Sequence, residues 1–189
     1  MKKIFSHFGT WIAILCFFGC SLIPYNLNAA IRGGRNVQSV MDVSGNVLAV
    51  WEALDTTLLI QVIQSANYIA LTNKWSAPFT ISPTGYDTHT PIIATNSLGN
   101  VVVLCSYTDP ITGVTRLAAV TCNTLLAAWS SPQNVSNSIE NLSSDYKVNT
   151  SDTGQVVATW SSFTTSYTKT RASSSLFGGS CTTPVTISN

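Results

Sequence analysis

Asn96-Ser97-Leu98-Gly99-Asn100-Val101-Val102-Val103-Leu104-Cys105 decides how this chain is read. A polar run ending in Gly, followed by an unbroken β-branched and apolar run, describes a tight turn that launches a buried strand. Gly supplies the positive φ that such a turn often needs. The apolar run is too short and too sharply bounded for a helix. The same pattern occurs upstream as Asp42-Val43-Ser44-Gly45-Asn46-Val47-Leu48-Ala49-Val50-Trp51, and downstream as Ser151-Asp152-Thr153-Gly154-Gln155-Val156-Val157-Ala158-Thr159-Trp160. Gly45, Gly99 and Gly154 stand 54 and then 55 residues apart.

A second motif keeps the same period. It reads Trp75-Ser76-Ala77-Pro78-Phe79-Thr80-Ile81-Ser82, then Trp129-Ser130-Ser131-Pro132-Gln133-Asn134-Val135-Ser136, then Cys181-Thr182-Thr183-Pro184-Val185-Thr186-Ile187-Ser188. Two motifs in one order at one period mark a structural repeat. Between them lie extended stretches at Leu58 to Ile63, Thr115 to Thr121 and Tyr167 to Ser173. The Pro of the second motif suits an edge or a strand end. Counting the stretch before each Gly turn, every unit holds about four short strands, and the chain is expected to be all-β.

Charged residues make up only 9% of the 189, against roughly 25% in an ordinary soluble domain. With 45% hydrophobic residues, Ser- and Thr-rich segments and five Trp, the chain is no coiled coil, polytopic membrane protein or acidic disordered tail. The net charge is +1 and the nine Lys and Arg form no basic patch, so no nucleic-acid partner is expected.

The amino terminus has the three parts of a secretory signal. Lys2 and Lys3 precede an apolar run from Trp11 through Ile23, and Ala29 and Ala30 offer a cleavage site. Residues 1–30 are therefore read as a signal peptide and the protein as exported to the periplasm, cell surface or medium. An uncleaved anchor, the one membrane contact foreseen, is the alternative. A lipoprotein signal at Phe17-Phe18-Gly19-Cys20 is a weaker one. Without Lys2 and Lys3 the net charge becomes −1. Cys105, Cys122 and Cys181 remain, which allows at most one internal disulfide. With no CxxC pair, no sulfur-bound metal is expected.

The Gly-Asn-Val-Val-x-x-Trp and Trp-Ser-x-Pro-x-x-Ile-Ser motifs together resemble the blade repeats of bacterial secreted β-propeller proteins. That group includes the sialidase-like Asp-box propellers. The resemblance covers residues 35–189 and implies three blade-like four-stranded antiparallel repeats, in units of about 35–89, 90–144 and 145–189. An Asp box has the form Ser-x-Asp-x-Gly-x-x-Trp. The third unit approaches it with Thr150-Ser151-Asp152-Thr153-Gly154, but Val157 stands in place of the Trp. Propeller rings close with about four to eight blades, so three copies form an incomplete ring. A shortened relative of a longer propeller is one account of this, and assembly with a second copy is another. Val101, Val103, Val156, Ala158 and the tryptophans of the terminal units are expected to line open blade faces and promote self-association.

Gly45, Trp51, Trp75, Gly99, Cys105, Trp129, Gly154, Trp160 and Cys181 are read as structural repeat positions, with the four tryptophans packed in the core. Arg116 and Arg171 each lie 17 residues after their repeat Gly, where the first unit has Val62. In sialidase-like enzymes, arginines from separate blades hold a substrate carboxylate. Glycoside hydrolysis needs two facing carboxyls, or a Tyr nucleophile helped by an acid. Glu52 and Tyr107, at strand ends, suit such a mouth. Glu52, Tyr107, Arg116 and Arg171 are thus the candidate ligand contacts, while His89 is placed in a loop between Asp87 and Thr90. No catalytic, cofactor-binding or metal residue is assigned. The expected function is an exported, non-enzymatic propeller-like protein binding a protein or glycan at the cell surface, or a remnant of one; a sialidase-like glycan hydrolase is the alternative.

Overall fold

The computed structural model describes residues 34–123, 128–136, 140–163, 165 and 167–188, and the signal pattern of residues 1–30 lies outside the described residues. The described residues form strands and turns without a helix. The first sheet comprises β1 (Arg35–Met41), β2 (Val47–Asp55), β3 (Ile60–Ile69), β4 (Lys74–Trp75) and β5 (Phe79–Thr80). The second has β6 (Asp87–Thr95), β7 (Asn100–Thr108), β8 (Thr115–Asn123), β9 (Ala128–Trp129) and β10 (Gln133–Asn134). The third has β11 (Asn141–Thr150), β12 (Gln155–Phe163), β13 (Thr168–Leu176) and β14 (Val185–Ser188). Every pairing is antiparallel and joins strands of one repeat. The protein is all-β, with three blade-like sheets and no closed ring. The unit boundaries read from sequence at 89/90 and 144/145 fall inside β6 and β11.

Each sheet is launched by its Gly turn. Gly45, Gly99 and Gly154 have φ of 80°, 77° and 83°. In the first turn Asp42 Oδ1 accepts the Ser44 and Asn46 amides at 2.8 and 2.9 Å. In the second, Asn96 Oδ1 accepts those of Leu98 and Asn100 at 3.1 and 3.0 Å. A short side chain accepting from the backbone two and four residues ahead explains the polar residue that opens each turn. Pro78 and Pro132 interrupt the outermost strand of the first two sheets, leaving two-residue pieces on each side. A residue without an N–H belongs at such an edge.

Packing follows the pleat. Leu48, Val50 and Ile63 of the first sheet form one core with Val101, Val103, Cys105, Tyr107, Ala118 and Val120 of the second. The other face of the second sheet packs Leu104, Leu117 and Ala119 against Tyr146, Ala158 and Trp160 of the third. Strand β7 is therefore covered on both faces, which is why Val101 to Leu104 read as one continuous apolar run. Strand β12 alternates instead, with Val156, Ala158, Trp160 and Ser162 buried and Gln155, Val157 and Phe163 exposed.

Two expectations about side chains are corrected here. Val101, Val103, Val156, Ala158, Trp51 and Trp160 do not line open faces; all six are buried. Alternation places Val101, Val103, Ala158 and Trp160 in sheet–sheet clusters, and Trp51 in a cluster with Ala53, Val62 and Ala66 on the opposite face of the first sheet. Trp75 is not a core residue. It sits on the two-residue edge strand β4, is 40% exposed, and rests against the Tyr68 ring at 5.5 Å. Its repeat partner Trp129 is half-buried against the core between the first two sheets.

Candidate functional site

The first strand of each sheet carries an irregularity near its start, between Arg35 and Gln38, His89 and Ile92, and Leu142 and Tyr146. Bulges of this kind re-aim side chains and occur often beside active sites. In the first two sheets the bulge holds a non-glycine residue in the left-handed region, Asn36 and Thr90, both at φ 52°. A β-branched Thr rarely adopts that conformation. Strands β1 and β6 lie against each other, so the two bulges face one locality.

Glu52 stands between them. It pairs across the ladder with Arg35 on one side and Ile63 on the other, which puts its side chain on the face turned toward the second sheet. It is 2% exposed. Its Oε1 accepts the Asn36 carboxamide at 2.6 Å and the Thr90 amide at 2.5 Å. Its Oε2 has no hydrogen-bond donor among the described residues. Two nitrogen-bearing side chains stand off from it instead, the Arg35 guanidinium at 3.8 Å and the His89 imidazole Nδ1 at 3.9 Å.

His89 is in strand β6 and not in a loop, which corrects its expected placement. The other edge of its ring, Nε2, meets Asp87 Oδ2 at 3.0 Å. Asp87 Oδ1 accepts the Gln61 amide at 2.7 Å. Partial burial pushes the Asp87 carboxyl up, but the Gln61 N–H and His89 outweigh it and hold it below the ordinary carboxylate value. The bulge is braced from behind. Ser106 Oγ donates to the His89 carbonyl at 3.2 Å, and the Tyr146 hydroxyl donates to the Thr90 carbonyl. Burial pushes that phenol up to about 12, so it remains a donor at neutral pH.

Glu140, the other buried carboxylate among the described residues, is fully engaged. Arg171 grips it with Nε on Oε2 at 2.8 Å and Nη2 on Oε1, and Ser162 Oγ donates to it at 3.0 Å. That fork, with Ser162, leaves neither oxygen of this structural carboxylate without a donor. Glu52 differs in having one oxygen left toward an accessible imidazole. Its repeat counterparts are Ser106 and Ser161, so the feature is not part of the repeat.

The four candidate contacts read from sequence do not converge. Tyr107 is buried, donates to Asn134 and packs edge-on against Tyr86 at 5.1 Å; burial raises its phenol. Arg116 pairs with Asp109 at 3.1 Å. Arg171 belongs to Glu140 and also reaches Thr186 Oγ1 at 2.5 Å. Among the described residues, no hydrogen bond or ion pair joins Glu52 to any of the three. The residues that do surround it, Arg35, Asn36, Asp87, His89 and Thr90, were not selected from sequence as a site. The available signal was the 54-residue offset between Asn36 and Thr90, beside a histidine next to an acid.

Cys105, Cys122 and Cys181 are free thiols, the first two buried. Among the described residues no group of three His, Cys, Asp or Glu side chains is placed to hold a metal ion, and no helix is long and apolar enough to cross a membrane.

No protein-family profile and no curated protein sequence matches the chain. Solved structures do. A glycosyl hydrolase from Bacteroides ovatus superposes with a TM-score of 0.50 at 13% identity, over 80% of this chain and 48% of that one. An endo-arabinase from Bacteroides thetaiotaomicron gives 0.49 at 11% identity, over 81% of this chain and 61% of that one. An α-L-arabinofuranosidase of Fusarium graminearum gives 0.46 at 10% identity, over 75% and 45%. The chain thus spans about half to three fifths of the length of these neighbours. At such identity the likeness shows the fold, a propeller-like stack of sheets. The expectation of a non-enzymatic binding protein is corrected to the extent that the fold neighbours named here are glycan-processing enzymes.

Proposed function

We propose that this chain carries a glycoside-processing site of the propeller type, with Glu52 and Asp87 as its two carboxyl groups and His89 between them. The observation that supports it most is the half-engaged Glu52 carboxylate. One oxygen is fixed by two hydrogen bonds, and the other is turned toward Arg35 and His89. A buried acid with one free oxygen in a rigid seat is suited to exchanging a proton with a glycosidic oxygen. Asp87, held ionised and half exposed, is suited to orienting or activating a water. Because the two carboxyls flank one imidazole ring, they lie at most about 9 Å apart, which does not exceed the roughly 6.5–9.5 Å spacing of inverting glycosidases. Two arginines that a sialidase-like site would use are committed to Asp109 and Glu140, so a neutral glycan fits better than an acidic one. The bond cleaved is the glycosidic C–O bond: the leaving oxygen takes a proton from one carboxyl, and the water attacking the anomeric carbon gives one to the other.

Export places this chemistry where neutral polysaccharides are met, and the Lys2-Lys3 and Trp11-to-Ile23 pattern supports that placement. The test is turnover of arabinan, mannan and the matching aryl glycosides by the purified protein, beside Glu52→Gln and Asp87→Asn. Turnover reduced about 100-fold or more in both variants supports the reading. Absence of turnover on every substrate, or equal turnover in Glu52→Gln, overturns it.

A further inference from the structure

Away from Glu52, a half-open groove of about 540 Å³ runs between the outer strands of the first and second sheets. That volume is in the range of small-ligand sites. Between the second and third sheets the corresponding space shrinks to about 20 Å³, so the groove is not a general product of stacking these sheets. Its walls come from both copies of the Trp-Ser-x-Pro motif. Phe79 and Trp129 supply the aromatic surface, and Phe79 is 60% exposed.

The polar lining has two parts. Ser76 Oγ accepts the Asn67 amide and Ser130 Oγ accepts the Thr121 amide, each at 3.0 Å, so these hydroxyls fix the walls. The Asn67 carboxamide and the hydroxyls of Thr80 and Ser131 have no hydrogen-bond partner among the described residues and are free for a ligand. No Asp, Glu, Lys, Arg or His lines the groove.

We propose that this groove is a binding site for a neutral oligosaccharide, separate from the Glu52 site. A sugar ring presents an apolar C–H face and a rim of hydroxyls. Aromatic surface accepts the first, while a carboxamide, which both donates and accepts, matches vicinal hydroxyls. An uncharged lining excludes the need for an acidic or basic ligand, which would lose hydration without gaining an ion pair. The ligand class is taken from the lining alone and does not depend on catalysis at Glu52.

The test is calorimetric titration of the purified protein and of Glu52→Gln with arabinotriose, mannotriose and xylotriose, and with trigalacturonate as the charged control. The expected result is saturable binding of at least one neutral trisaccharide by both proteins, none of trigalacturonate, and affinity weakened about fivefold or more by Phe79→Ala and by Asn67→Ala. Phe79 is exposed, so its truncation should leave the unfolding midpoint unchanged, which separates lost contact from lost fold. Failure of all three neutral sugars to bind overturns the proposal. So does binding that ignores Phe79→Ala and Asn67→Ala, and binding lost only in Glu52→Gln would assign the sugar to the other site. Turnover without groove binding would leave the glycoside-processing reading standing alone.

Discussion

Asn36 and Thr90, 54 residues apart in successive repeats, meet on a single oxygen of Glu52. Both sit at φ 52° in the bulge of the first strand of their sheet. One donates through its side chain and the other through its backbone, so two sheets are tied through one carboxylate that neither repeat pattern contains. The strain of a left-handed Thr is held by that bond and by the Tyr146 hydroxyl on the Thr90 carbonyl.

Removing the acceptor should therefore cost more than removing the charge. Glu52→Gln keeps an oxygen for the Thr90 amide, whereas Glu52→Ala removes two hydrogen bonds to a charged acceptor, a loss of about 1.5–3 kcal/mol. Urea unfolding should place the Ala variant about 2 kcal/mol below the wild type and the Gln variant much nearer to it. Equal losses would show that the seat does not depend on the hydrogen bonds.

Glu140 and Arg171 give a pH signature. The Arg171 fork lowers the Glu140 carboxyl against the opposing effect of burial. A lowered folded-state value contributes stability above the unfolded value of about 4.3, and that contribution disappears as pH falls through the folded value. Arg171→Met leaves the carboxylate buried and unpaired, a destabilisation of about 3 kcal/mol at pH 7. Burial alone raises a carboxyl, so the variant should recover ground as pH is lowered. The gap in unfolding free energy between the two proteins should narrow from pH 7 to pH 4, and a constant gap would contradict the pairing.

The Gly154 turn tests backbone conformation apart from packing. A Cβ there would meet only the Phe177 Cβ at 3.9 Å, so space is available, yet φ is +83°. Gly154→Val should lose more stability than Gly154→Asn, with Gly154→Ala between them at about 1 kcal/mol. Thermal unfolding of the three variants reads the order directly.

Asp152 links two Gly turns, its Oδ1 accepting the Ser97 amide at 2.9 Å while Asn96 Nδ2 donates to the Ser151 carbonyl at 3.2 Å. In Asp152→Ala the Ser97 amide should exchange with solvent faster, with amides of β7 unchanged. Amide exchange followed by NMR checks this, and unaltered protection at Ser97 would remove the link.

Much of this architecture can be read from local chemistry. The turn at Asn96 to Asn100 and the apolar run behind it state their roles in ten residues, and the period carries them across the chain. The Glu52 site is different in kind. Arg35, Glu52 and His89 come together only through strand register, and the bulges that aim Asn36 and Thr90 leave no composition of their own. Trp75 shows a further limit. Motif equivalence with Trp129 suggests equal burial, but the neighbouring sheet decides burial: Trp129 packs against the core shared with the first sheet, whereas Trp75 rests on Tyr68 of its own sheet.

The confinement of every strand pairing to one repeat has a kinetic consequence. Among the described residues no strand waits for a partner from a distant part of the chain, so loop closure is cheap and each sheet can assemble once its own residues have been synthesised. The first sheet is complete at Thr80 and gains its cover when β6 to β8 follow. The second sheet has apolar side chains on both faces, and Leu104 and Leu117 stay wet until β11 and β12 arrive. During synthesis the protein is thus most prone to aggregate in the interval between Asn134 and Phe163, and a ribosome pause there would lengthen its exposure.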